Sequence, residues 1–387
     1  MPTRRGIVQC FGLAAALACP RTVYAAGRNK VVVIGAGIMG ASIAYHMAKR
    51  GAQVTLLDKT GPAAGTTRNS FAWLNSASKS PKYYFDLNLM GVLGWRRLEL
   101  EIGPDLPIQW GGCVEWGPAT LEQAARRRAA MVERQNWGYP VHEIDAAEVR
   151  RLLPGAVTDN MGFADFCDIE GTIDPVVAAN VLVAKAKDHG ASAIYPCTVT
   201  GLDLGASGVT AVQTSQGKIE ADHVVIAAGN DCPRIATMAG FEVPLTESKG
   251  ILVHSKPMAR VLDRVARPPG NDAKQNLDGR VIVEQTFGDI GNSQPDAALG
   301  RAYLDHLAQY VPAVRAAEVE FMTLGYRVMP KDGHPIFDRA PKYPNLYVAA
   351  QHSGMTCAPI SGQLVAMEVL DQVQVDMLAP YRLARFI

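Results

Sequence analysis

The chain lacks most of what would mark a metal, disulfide or nucleic-acid protein. It has seven cysteines in 387 residues. Cys10 and Cys19 lie near the N-terminus. The other five, Cys113, Cys167, Cys197, Cys232 and Cys357, are scattered, odd in number and form no CxxC pair. That argues against a disulfide framework and a structural zinc site. The formal net charge is +1. The short block Arg126-Arg127-Arg128 falls in a segment of helical pattern and reads as a solvated face, so nucleic-acid binding has no support. There is no repeat of the roughly 20–50-residue period that solenoids show, and no apolar run long enough to span a bilayer. Hydrophobic residues make up 48% and charged residues 19%, enough apolar material for a sizeable core in one large domain or two.

One stretch carries the first positive signal, KVVVIGAGIMGASIAYHMAKRGAQVTLLDK from Lys30 to Lys59. Val31-Val32-Val33-Ile34 is a continuous apolar run, as expected of a parallel strand buried on both faces. Gly35, Gly37 and Gly40 follow it as GxGxxG. The first glycine permits a tight turn, the second lets a pyrophosphate approach the backbone, and the third lets helix and strand pack closely. A helix from about Met39 to Arg50 aims its N-terminus, including Ile38 and Met39, at the phosphates, where free N–H groups and the dipole favour anions. Val54-Thr55-Leu56-Leu57 is the next strand. Asp58 closes it 23 residues after Gly35, near the spacing that reaches a ribose hydroxyl. The order strand, turn, helix, strand, acid predicts dinucleotide binding. The acid disfavours a 2′-phosphate but does not separate NAD from FAD.

The residues after Asp58 and Lys59 make that separation. Thr66, Thr67, Arg68, Asn69 and Ser70 form a small polar cluster suited to wrapping a second part of a long cofactor. Three further segments follow in order: DIEGTIDPVVAANVLVAKAKDHGA from Asp168, ADHVVIAAGN from Ala221, and GYRVMPKDGHPIFDRAPKYPNLYVAAQHSGMTCAPISGQLVAMEVL from Gly325. With these, the chain from about Lys30 to Val369 resembles the D-amino-acid oxidase, glycine oxidase and sarcosine oxidase superfamily of flavoproteins.

The resemblance implies an α/β fold (α+β overall). A discontinuous Rossmann-like FAD domain would occupy 28–81, 160–241 and 325–387. A mostly antiparallel substrate domain would occupy 82–159 and 242–324, with Ile108-Gln109-Trp110 and Arg280-Val281-Ile282-Val283 among its strands. It also implies cofactor contacts at Val199, in the turn after a parallel strand, and at Ala228-Gly229. A last contact set is His352, Ser353, Gly354, Met355 and Thr356, just before a helix from about Pro359 to Leu370.

The chemistry implied is hydride loss from a C–H beside an amine to flavin N5, followed by imine hydrolysis. Arg327 matches the arginine that grips a substrate carboxylate, and a guanidinium does so bidentately. Tyr326 would shape the pocket, His352 would lie near the flavin, and Lys249 matches a basic position near it. There is no cysteine just before the Arg327 motif, and Asn69 stands where some members carry a flavin-linking histidine, so FAD is expected to be non-covalent. No lysine matches the oxygen-activating one of sarcosine oxidases. The electron acceptor is therefore open between oxygen and a quinone or carrier protein. Oxidation of a hydroxy acid, with His352 or His334 as base, and non-catalytic flavin binding are the rival readings.

Residues 1–26 have a basic start, an apolar stretch from about Ile7 to Cys19 and a small-residue end, the parts of a signal peptide. Arg4-Arg5 resembles a twin-arginine signal, against an ordinary Sec signal with two arginines. Export of a cofactor-loaded, folded protein favours the first, with the periplasm as destination. One adventitious disulfide stays compatible with that compartment.

Overall fold

The apolar run after Lys30 becomes a central strand of a six-stranded sheet. In the computed structural model, which describes residues 29–285, 290 and 293–386, the strand order is Ile336–Arg339, Leu346–Ala350, His223–Ile226, Lys30–Ile34, Gln53–Leu57 and Ser192–Ile194. All neighbours are parallel except the first pair. Alternate residues of the central strand enter opposite cores. Val31 and Val33 face the main helical layer, while Val32 and Ile34 join a second cluster with Val199, Ile226 and Val348. The signal-peptide reading of residues 1–26 lies outside the described residues. Among these, no helix is long and apolar enough to cross a membrane.

The helical layer is built from Ile38–Lys49, Lys82–Ile102, Pro175–Asp188 and Gly354–Asp371. Its helices cross closely because small residues stand at the crossings. A Cβ on Gly91 would run into the Thr356 carbonyl. Ser42 Oγ donates to the Ala358 carbonyl at 2.6 Å, and the fully buried Trp95 donates from Nε1 to the Met355 carbonyl at 2.7 Å.

That last bond explains one departure from the sequence reading. The helix expected from Pro359 begins at Gly354, with Pro359 inside it. Proline has no N–H for the carbonyl four residues back, Met355, and would leave it without a helical partner. Trp95 supplies the missing donor, so the helix continues through the proline.

The second sheet has eight strands in the order Val319–Tyr326, Lys249–Ser255, Val281–Gln285, Asn271–Gln275, Val265–Arg267, Cys113–Gly117, Phe163–Cys167 and Val141–Glu143. Its pairings are antiparallel except Val265–Arg267 with Cys113–Gly117. The helix Ala297–Tyr310 covers one face through Leu304 and Leu307.

Three elements depart from the expected domain layout. Phe163–Cys167 pairs within the eight-stranded sheet, although 160–241 was assigned to the cofactor domain. Lys82–Ile102 packs on Gly354–Asp371, although it falls in the expected substrate segment 82–159. Ile108-Gln109-Trp110 makes only a single bridge, Gln109 to Thr172. Side-chain contacts hold Trp110 there: its indole donates to Glu99 at 2.6 Å, and the Arg96 guanidinium lies 4.1 Å from its ring centre. The five described cysteines are buried and free.

Candidate active site

A cavity of about 890 Å³ is lined by residues of both sheets and their connections, the glycine turn and Arg327 among them. At the glycine turn, Asp58 organises the backbone. Its carboxylate accepts from the N–H groups of Ala36, Thr60 and Gly61, each at 2.8 Å. The helix that follows has Gly37 as its N-cap and no side-chain cap at that residue. Instead, Thr67 reaches across and accepts from the Ile38 N–H at 3.0 Å. Gly40 is set back from the cavity, because its Cα abuts the Gly35 carbonyl so closely that a Cβ would overlap it. Gly35, Gly37, Ile38, Met39, Asp58 and Lys59 line the cavity, and Lys59 pairs with Asp231 at 2.6 Å.

Thr66, Thr67, Asn69 and Ser70 also line it, from a short 3₁₀ turn. Thr66 Oγ1 donates to the Tyr326 carbonyl at 2.8 Å and so ties this turn to the eight-stranded sheet. Arg68 is exposed and is not among the lining residues. With about three residues per turn, the side chains of a 3₁₀ turn fan around its axis, and Arg68 takes the solvent side. Val199 lines the cavity as the first residue of a strand, Val199–Leu204, rather than from a turn. Ala228 and Gly229 contribute as well, with Gly229 at φ +60°.

His352, Ser353, Gly354, Met355 and Thr356 form a further stretch of the wall, with Gly354 beside Ile38 and Met39, and Tyr326 and Arg327 line it as well. Ser353 sits at φ +58°, a left-handed conformation rare outside glycine, and its hydroxyl is 2.9 Å from that of Tyr84. The helix that starts at Gly354 has no side-chain N-cap, so its first amides and positive dipole end face the cavity. Arg327 is half-buried. Its Nη1 donates to the Lys249 carbonyl, with the Ser248 hydroxyl at 3.4 Å. Burial lowers the guanidinium pKa, opposed by the charge of Glu284. Burial, followed by the positive charges of Lys79 and Arg327, pushes His352 down to about 3, so its imidazole is neutral across the working range.

Lys249 is placed differently from the sequence expectation. Its ammonium turns to Glu247, 2.7 Å away, and lies 5.8 Å from the centre of the Tyr326 ring. The residue contributes its carbonyl to Arg327, while the neighbouring Gly250 lines the cavity. Sequence reasoning missed Lys79, Tyr84, Arg267, Asp272 and Glu284, all on the cavity wall. The Lys79 pKa is lowered, chiefly by burial. The only hint for Lys79 was its place in a polar loop just after the Thr66–Ser70 cluster. The three charged residues of the sheet gave no local signal.

These features fit a long dinucleotide with a redox-active ring. The cavity is large enough for an extended ligand, two helix N-termini open onto it without a side-chain cap of their own, and an acid stands at the ribose-spaced position. The chain belongs to the family of FAD dependent oxidoreductases, which it matches over residues 30–367, and its cofactor is FAD. It is similar to an opine oxidase subunit of Agrobacterium tumefaciens (strain Ach5), 24% identical over 92% of this chain and 97% of that one. It is similar also to glycine oxidase of Bacillus licheniformis, 23% identical over 92% of this chain and 98% of the relative. The solved structure of L-amino acid deaminase from Proteus vulgaris, with its specific insertion sequence deleted, superposes with a TM-score of 0.84. It is 27% identical and covers 93% of this chain and 94% of its own. Among the described residues, no cluster of side chains could hold a metal ion.

Proposed function

We propose that this protein oxidises an amine or amino acid that carries a carboxylate, at the C–H next to nitrogen. The product imine then hydrolyses. D-Amino acids, glycine derivatives and N-alkyl amino acids are the candidate substrates. The observation that carries the reading is Arg327, a half-buried guanidinium fixed by a backbone carbonyl on the wall of the cofactor cavity. Bound FAD supplies the hydride acceptor. The chain's part is to grip the carboxylate, exclude water and hold the reacting carbon in place. The relatives named above, an opine oxidase subunit, a glycine oxidase and an L-amino acid deaminase, agree with an amino-acid substrate.

The hydroxy-acid alternative needs a base for the hydroxyl proton. His352 is a poor one, being pushed down to about 3. His334 packs edge-on against Tyr83 and Tyr84, and its pKa is also lowered, chiefly by burial. The test is anaerobic mixing of the flavin-loaded protein with D-amino acids, sarcosine-like amines and hydroxy acids. Bleaching of the visible flavin band by an amine or amino acid is expected. Bleaching by hydroxy acids alone would reverse the assignment. Admitting oxygen afterwards separates an oxidase from an enzyme that passes electrons to a quinone or carrier.

FAD is held without a covalent bond in this reading. The five described cysteines are free, and Asn69 rather than histidine stands on the cavity wall. Acid precipitation is expected to leave the yellow colour in the supernatant. Colour retained in the pellet would show a covalent link.

A further inference from the structure

The cavity face of the eight-stranded sheet carries a row of charges, one strand after another. Register pairing aligns Glu284 with Asp272, Arg267 with Glu115, Glu115 with Asp165, and Asp165 with Glu143. Cross-strand partners point to the same side of a sheet. Three of the acids in the row, Asp272, Glu115 and Glu143, are paired with arginines. Arg267 bonds Asp272 at 3.0 Å and Glu115 at 2.7 Å. Arg127 also bonds Glu115, and Arg128 bonds Glu143. Among the described residues, Asp165 and Glu284 are the two acids of the row with no cation within ion-pair distance, and Asp165 lies in a separate small pocket while Glu284 stands at the row's cavity end. It lines the same cavity as Arg327.

We propose that Glu284 receives the amino nitrogen of the substrate while Arg327 holds its carboxylate. This rests on the proposed function and names how the amine is recognised. In a substrate with both groups, the nitrogen supplies the cation that Glu284 lacks.

The assignment also accounts for how the amine loses its proton. Burial, then the charge of Asp272, raises the Glu284 carboxyl to about 8, against the opposing pull of Arg327, Arg267 and Lys274. Tyr303, on the helix behind the sheet, feels the Glu284 charge. The neighbouring strand offers uncharged Leu252 at the paired position, and His254 beyond it stacks on Phe321. Near neutral pH, the unliganded enzyme therefore carries Glu284 as a neutral carboxyl. An amino acid arrives as ammonium. Binding releases one proton from the pair, leaving either ammonium beside carboxylate or neutral amine beside carboxyl. Transfer between these breaks one N–H bond and forms one O–H bond. The second form is the neutral amine that hydride loss requires.

The test compares two ligands on the flavin-loaded protein: the amino acid that best bleaches the flavin, and the carboxylic acid that lacks only its amino group. Binding of the deamino acid is read from its shift of the flavin band, and that of the amino acid from the saturation of the anaerobic bleaching rate with concentration, from pH 6 to 9. The amino acid should bind more tightly as pH rises towards the ionisation of Glu284. The deamino acid should bind more weakly over the same range, because an ionised Glu284 repels it. In Glu284→Gln both slopes should flatten. Amino-acid binding should weaken about tenfold or more, while the deamino acid binds as well or better.

Parallel slopes for the two ligands in the wild type would overturn the proposal, and that arm needs no variant. Equal weakening of both ligands in Glu284→Gln would also overturn it, as a merely structural role. If the deamino acid leaves the wild-type flavin band unshifted and the bleaching rate does not saturate with the amino acid, the carboxylate-binding reading of Arg327 fails and this proposal falls with it.

Discussion

Arg327→Met is expected to raise KM for carboxylated substrates by roughly 30-fold to about 5000-fold, with a smaller effect on kcat. The range follows from the cost of stranding one partner of a desolvated, hydrogen-bonded charge pair, about 2–5 kcal/mol, at about 1.4 kcal/mol per factor of ten. Methionine keeps most of the apolar stem, so the wall between Gly250 and Val328 stays filled and the loss falls on the charge. Arg327 suits the task because the Lys249 carbonyl fixes one end of its guanidinium fork before the substrate arrives. Little side-chain entropy then remains to be lost on binding. The same substitution removes a positive charge that holds Glu284 down and His352 down. Glu284 should therefore titrate at higher pH in the variant, and the pH at which amino-acid binding improves should move up with it. An unchanged KM would refute the carboxylate assignment outright.

The cofactor end of the molecule was readable because its constraints are local. A buried parallel strand needs a continuous apolar run, the turn needs glycine, and the acid sits at a fixed distance, all within about 30 residues. The same logic named the cavity wall at His352–Thr356, which lies in one contiguous stretch. It misplaced the helix start there, because proline is favoured in the first helical turn, and the donor that lets Pro359 sit deeper comes from Trp95, 260 residues before the Met355 carbonyl it satisfies.

The substrate end was harder to read for the same kind of reason. Glu115, Asp165, Asp272 and Glu284 each look like an ordinary surface acid in sequence. Only the strand order, which brings Cys113–Gly117 beside both Val265–Arg267 and Phe163–Cys167, makes them one row. Lys249 shows the converse. Its position matched a motif, but the side chain follows Glu247 outward, and the backbone carbonyl does the work at Arg327.

The largest effect on stability is expected at Glu368, far from the chemistry. This carboxylate is fully buried in the helix Gly354–Asp371. It accepts from Tyr347 Oη at 2.7 Å and the Val375 N–H at 2.8 Å, and it forms a two-pronged pair with Arg382. It thereby ties the helix that walls the cavity to a core strand of the cofactor sheet and to the C-terminal tail. Glu368→Ala strands Arg382 and Tyr347 together and is expected to cost about 3–5 kcal/mol, the usual penalty for breaking one side of a buried pair. Chemical denaturation of the flavin-loaded protein measures it. The pH dependence gives a second reading. Burial alone would raise this carboxyl, but Arg382, the Val375 N–H and Tyr347 together hold it below the ordinary glutamate value. Its stabilising contribution is then full above the unfolded-state value of about 4.3 and is lost as pH falls through the lower folded value. Wild-type stability should drop with acidification in that window, and the Glu368→Ala curve should be flatter there. A variant that unfolds at the same denaturant concentration as the wild type would mean that the tail does not hold the helix. The placement of Gly354–Thr356 against the cofactor would then have to depend on local contacts, such as those of Trp95, Ser42 and Tyr84 and the bond from Thr356 to the Trp73 carbonyl.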